Sequence, residues 1–186
     1  TEALKFRGAL GEVTPTAAIY EPILDAFADN QPKTLSQVEQ LVKDKNVNLA
    51  QLREAAIILT GAGVLHPAQD DAVIARAKSN TDKLNAYLID KSRSSNDINF
   101  LASPVTGGGI AISRFNQMFL KAISTGKKTP SEWAALTWEI LASQAQLILK
   151  DGKPLQTAEA NLAELTEQAN SFADKQLPVL KALGVA

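Results

Sequence analysis

Residues 34–66, TLSQVEQLVKDKNVNLAQLREAAIILTGAGVLH, decide the fold, because they carry two helix-start signals in succession. Thr34 precedes Gln37, and Asn48 precedes Gln51, by the spacing of a capping box. In that motif the cap side chain bonds the N–H three residues on, and the later side chain reaches back to the cap. Leu35, Val38, Leu41 and Val42 then predict the inward face of one helix, and Leu49, Leu52, Ala56 and Leu59 that of the next. Gly61 and Gly63 end the second helix, and Val64-Leu65-His66 is short enough to be a strand or an extended return. Upstream, Thr14-Pro15 places a capping hydroxyl before a proline at the first helical position, with Ile19, Ile23 and Phe27 at four-residue spacing behind it. Three helices and a short extended segment outline a winged-helix-like unit, assigned to residues 1–75.

The remainder, 76–186, reads as a helical C-terminal bundle. Residues 72–97 predict a helix with Leu84, Tyr87 and Leu88 apolar, fading into the polar KSRSSND. A further helix opens near Ser113, with Phe115, Met118, Phe119 and Ala122 inward. Thr129-Pro130-Ser131-Glu132 combines cap, proline and returning glutamate. The helix behind it, EWAALTWEILASQAQLILKDG, is apolar around most of its circumference and is expected to be central and buried, ending at Gly152-Lys153-Pro154. Trp133, Leu136, Ile140, Leu147 and Ile148 share one face, and Trp138 points elsewhere. A last long helix over 157–176 carries Leu162, Leu165, Ala169 and Phe172, and the tail LPVLKALGV docks back. The fold class expected is mainly α with minor β.

Composition removes several function classes. With 45% hydrophobic residues in 186, the chain can bury a real core. The formal charge of -1 gives no electrostatic reason for a nucleic acid partner. The helix that would enter a DNA groove has Arg53 as its one cation, cancelled by Glu54. Cysteine is absent, and His66 is the one histidine, with no partner in view. No apolar run approaches the roughly 20 residues of a membrane helix, and the N-terminal TEALKFRGALGE lacks a signal-peptide layout. A cytoplasmic protein is expected, and a chain starting at Thr1 without Met reads as a fragment or excised domain.

The stretch ASPVTGGGIAIS, residues 102–113, is the most suggestive for chemistry. It has no lysine to reach phosphates, as a Walker loop requires. Its three contiguous glycines do not fit the dinucleotide spacing, and no acidic strand end precedes them. What remains is a candidate anion or ligand loop of Ser103, Thr106, Gly107, Gly108 and Gly109, with Ser113 and Arg114 at the following helix start. The competing expectation is a turn or close contact that needs residues without Cβ, acting as the hinge between the two parts. Trp138 is either a packing residue or an anchor for a partner. No catalytic, cofactor-binding or metal-binding residues are assigned, since no nucleophile–base pair or metal set is visible.

Several phrases together resemble one family. LASPVTGGGIAISRFNQMFLKAI (101–123), LKDGKPL (149–155) and TAEANLAELTEQANSFADKQLPVLKALGV (157–185) resemble the C-terminal portion of bacterial class I S-adenosylmethionine-dependent methyltransferases with a methyltransferase regulatory domain, which include protein lysine methyltransferases. EPILDAFADNQPKTL (21–35) and ILTGAGVLHPA (58–68) are similar to the winged-helix part that precedes that tail. The resemblance implies an accessory, regulatory or substrate-recognition region that is no enzyme by itself. Its cofactor, S-adenosylmethionine, would bind a catalytic domain absent from this chain. The partners implied are that catalytic domain and a protein substrate, with no nucleic acid and no membrane, and homo-oligomerisation left open. The alternative is an independent protein–protein adaptor with a winged-helix-like fold, and behind it a phosphate-ligand module.

Overall fold

The structure, a computed structural model, describes residues 5–8 and 11–186. Residues 1–4 and 9–10 of the N-terminal stretch read against a signal peptide lie outside the described residues. The fold is mainly α with minor β, in two compact units, Thr1–Ala68 and Gln69–Ala186. The division falls just before a helix at Asp71–Lys91, so residues 69–75, grouped by sequence with the first part, belong to the second unit.

The first unit opens with strands β1 (Phe6–Gly8) and β2 (Gly11–Val13), paired antiparallel with Phe6 opposite Val13. Three helices follow: α1 (Ala17–Asp25), α2 (Leu35–Val42) and α3 (Leu49–Gly61). Helix α1 starts later than Thr14-Pro15 predicts. Thr16 is the extended cap residue and makes no side-chain capping bond, so Pro15 stands outside the helix. Both capping boxes form as expected: Thr34 with Gln37 on α2 and Asn48 with Gln51 on α3.

Ile23, Val38, Val42, Val47, Leu52, Ala55 and Leu59 make the core of this unit. Leu35 and Leu41, expected inward, are 44% and 56% exposed. A helix as short as α2 meets its neighbours along one narrow line, and Val38 and Val42 occupy it. The return at Val64–His66 is not a strand. Gly63 N–H bonds Thr60 O (3.0 Å) and Val64 N–H bonds Leu59 O (2.9 Å), a Schellman closure that spends this segment's donors on ending α3.

The second unit contains α4 (Asp71–Lys91), an antiparallel hairpin of β3 (Phe100–Ala102) and β4 (Gly109–Ala111), α5 (Arg114–Ser124) and α6 (Pro130–Ser143). A second hairpin, β5 (Leu149–Lys150) and β6 (Lys153–Pro154), leads to α7 (Ala158–Ser171), a π-helical turn over Phe172–Gln176, and α8 (Leu177–Ala182). The glycine stretch is therefore a hairpin loop inside one unit and not a hinge between two.

Helix α6 packs against both α5 and α7 and buries Trp133, Ala134, Thr137 and Leu141, as expected of a central helix. It stops at Ser143, well before the expected end. Ala145 takes a left-handed φ of 53°, and Gln146 N–H turns back to Leu141 O at 3.0 Å. Beyond it, Asp151 (φ 51°) and Gly152 (φ 76°) both have positive φ, the geometry of a type I′ hairpin turn. On α4 the inward line runs through Asn85, Ile89 and the following Ser92, whereas Leu84 and Tyr87 are 48% and 60% exposed. Phe119, Phe172 and Trp133 join at the centre of the core: Phe172 lies 5.6 Å from Phe119 and edge-on to Trp133 at 6.2 Å. Leu165 and Ala169 are buried beside them, while Leu162 is 36% exposed.

No helix among the described residues is long and apolar enough to cross a membrane.

Candidate functional site

Polar groups of the 102–113 stretch are largely engaged within the second unit. Ser103 N–H donates to Gly108 O and Gly107 N–H to Ser103 O, both at 2.9 Å, closing the loop between β3 and β4. Ser103 is 2% exposed; its Oγ donates to Leu183 O at 2.7 Å and accepts from Thr106 N–H at 3.1 Å. Thr106 Oγ1 accepts from Gly108 N–H at 3.3 Å. Gly107 has φ +72°, and a Cβ there would overlap the Gln69 side chain, whose residue also donates its N–H to Val105 O at 2.8 Å. Gly108 and Gly109 have no such demand: a Cβ would meet nothing closer than 3.9 Å at Gly108 and 3.5 Å at Gly109. One glycine of the three is thus required by conformation.

Ser113 caps α5, accepting from Asn116 N–H at 3.4 Å. Arg114 spreads its guanidinium over three acceptors: Nε to Ser92 O (2.7 Å), Nη2 to Arg93 O (2.9 Å) and Nη1 to Gln146 Oε1 (2.8 Å). Burial lowers its pKa from the ordinary value. The fork joins the end of α4 to the segment after α6. Ile110, Ala111 and Ile112 stand between Gly109 and the cap residue Ser113, a span of about 13 Å at the usual strand rise. The two halves of the candidate loop do not converge. Trp138 is half-buried against the core of this unit, and His66, in the first unit, is exposed.

A groove of about 260 Å³ lies between the end of α4, α5 and α6. Leu136 and Ile140, both half-buried, contribute apolar surface, and Arg93, Lys121 and Glu139 bring charge to it. Lys121 Nζ lies 3.0 Å and Arg93 Nη1 3.8 Å from the same oxygen of Asp90. The Lys121 hydrogen bond and charge, with Arg93 adding, hold the Asp90 carboxyl below its usual range. Arg93 is pinned through its carbonyl, which accepts from Arg114 Nη2 and from Gln144 Nε2 at 2.8 Å, while its guanidinium is about half exposed. Thr125 and Ser143 also line the groove, but their hydroxyls donate to Ala122 O and Ile140 O.

Sequence reasoning passed over Arg93, Lys121 and Asp90, because only the packing of α5 against the end of α4 brings Lys121 to the Asp90–Arg93 pair. It also passed over the buried amides. Asn85 exchanges two 2.8 Å bonds with the backbone of Ala102, in the manner of a neighbouring strand. Gln117 donates to Ile98 O and Ile112 O. Among the described residues no group of three or more His, Cys, Asp or Glu is placed to hold a metal ion.

No family model matches the chain, and no solved structure matches it. A protein of Synechocystis sp., described as uncharacterized, is 37% identical over 183 residues. The similarity takes in 98% of this chain and 35% of that relative, so the chain spans about a third of the relative's length.

Proposed function

We propose that these residues form a non-catalytic accessory region of an S-adenosylmethionine-dependent methyltransferase, serving regulation or recognition of a protein substrate. The observation that carries this is the match along 98% of the chain to only 35% of a longer relative, which is how a part of a larger protein aligns. The resemblance of residues 101–123, 149–155 and 157–185 to a methyltransferase tail supplies the kind of protein. The side chains singled out in the glycine stretch support it too, since Ser103 and Arg114 bond to the unit's own backbone and side chains.

The test is made in the full coding sequence that carries these residues. Deleting the region is expected to keep S-adenosylmethionine binding and abolish methyl transfer to protein, read with labelled cofactor. Unchanged transfer after the deletion would overturn the proposal.

A second reading, an independent protein-binding adaptor with a winged-helix-like first unit, is favoured by Ile57 and Leu41, which are 73% and 56% exposed. It predicts a stable complex with another protein and no effect of the region on methylation.

A further inference from the structure

We infer that Asp151 is a site of spontaneous isoaspartate formation, a slow covalent switch confined to the tip of the β5–β6 hairpin. The chemistry goes beyond the accessory-region reading and needs nothing from it. Asp151 is the one aspartate followed by glycine, and glycine follows none of the asparagines. The fold leaves both reacting groups open at this place. Asp151 and Gly152 are exposed, and among the described residues no hydrogen bond or ion pair engages the Asp151 carboxylate. The adjacent Lys150 turns its ammonium to Glu164 instead, at 2.6 Å. Gly152 N–H, the nitrogen that must attack, bonds no other group among the described residues, and a Cβ on Gly152 would meet nothing within 4 Å. Other aspartates are tied down. Asp82 and Asp90 lie inside α4, where a carbonyl one turn back holds the next N–H, and Asp29 and Asp97 have hydrogen-bonded carboxylates.

To bring its Cγ to that nitrogen, Asp151 must leave the turn, and the hairpin is built to open cheaply. The ladder below the tip is two residue pairs long, Leu149 with Pro154 and Lys150 with Lys153, and Pro154 has no N–H to give it. Asp151 holds φ 51°, where an L side chain crowds its own backbone, so opening relieves strain. An exposed segment with few bonds sits at the low end of local opening free energies. In the open tip Gly152 N bonds to Cγ, the Cγ–OH bond breaks, and the amide hydrogen leaves with the hydroxyl as one water, closing a succinimide. Water then reopens the ring. Cleavage of the N–Cγ bond restores aspartate. Cleavage of the bond from N to the Asp151 main-chain carbonyl leaves the chain running through Cγ, with the α-carboxylate free. The product keeps its charge but has one more methylene in the main chain, so the two-residue turn no longer closes between Lys150 and Lys153. Asn161 grips Ile148 N–H and Leu155 O, outside the tip, so the change stops there.

The 186-residue chain is held warm at neutral pH for weeks in water enriched in the heavy oxygen isotope, then digested. Electron-transfer fragmentation separates isoaspartate from aspartate in the peptides. Isoaspartate carrying the label is expected at position 151, forming several-fold faster there than at any other aspartate. Backbone amide NMR shifts of the aged chain are expected to change at residues 147–155 and around Glu164, and to stay as they were at Phe119, Trp133 and Phe172. Asp151→Glu keeps the charge and Gly152 but would have to close a larger ring, and is expected to form no isomer and to take up no label at that position. Isoaspartate forming no faster at 151 than elsewhere, a product without label, isomer in Asp151→Glu, or shifts spreading through the aromatic core would each overturn the proposal. With no cofactor and no methyl acceptor present, the outcome is separate from that of the methyltransferase reading.

Discussion

Asn161 is fully buried and makes three hydrogen bonds: its Oδ1 accepts from Ile148 N–H at 2.8 Å, and its Nδ2 donates to Leu155 O and Thr157 O at 2.7 Å. The side chain thereby binds both flanks of the β5–β6 hairpin to the first turn of α7. Asn161→Ala would strand a buried N–H and at least one carbonyl, and is expected to cost about 3 kcal/mol in urea unfolding of the chain. Ala145 presents the opposite case. Its φ of 53° closes α6 in a conformation that carries a Cβ penalty. Ala145→Gly relieves that penalty and is expected to stabilise by about 1 kcal/mol, read as a higher urea midpoint at unchanged slope. Neither position was legible in the sequence. Asn161 looks like any polar helix residue until the hairpin folds over it, and an alanine gives no sign of ending a helix.

At the scale of elements, legibility followed distance along the chain. The three capping boxes are spelled out within four residues each, and all three form. The β3–β4 hairpin depends instead on Asn85 in α4 and on Leu183 near the C-terminus, so nothing local in ASPVTGGGIAIS announces it. Lys150-Asp151-Gly152-Lys153 is a different kind of miss. Asp-Gly is a strong hairpin signal, and the apolar run before it, which continues the pattern of α6, masked it.

The cap of α6 also makes a pH prediction. Lys128 and Thr129 N–H both donate to Glu132 Oε2 at 2.9 Å, and these bonds hold its carboxyl below the ordinary range. A carboxyl depressed in the folded state stabilises fully above its unfolded pKa, about 4.3. That contribution is lost as pH falls through the lower folded value. Glu132→Gln keeps a capping acceptor without the titration. Thermal melts from pH 6 to pH 3 should therefore show a smaller loss of stability in the variant, and an identical loss would contradict the assignment.

Across the whole molecule, each unit has its own core, Ile23 to Leu59 in the first and Ile89 to Val185 in the second. The mainly helical class was readable from periodicity and caps; the function was not, because the singled-out polar groups act within the fold. The glycine stretch is the instructive case: Gly107 serves a tight loop over Gln69, and Arg114 ties helix ends together. The accessory region proposed above has its S-adenosylmethionine site elsewhere in the larger enzyme. It is tested most directly by thermal unfolding with the cofactor added, for this chain and for the product of the full coding sequence that carries it. A ligand at a hundred times its Kd stabilises the form that binds it by about 2.7 kcal/mol. No shift is expected for the chain alone and a clear rise for the full product. A cofactor-dependent rise in the chain alone, or none in the full product, would contradict it.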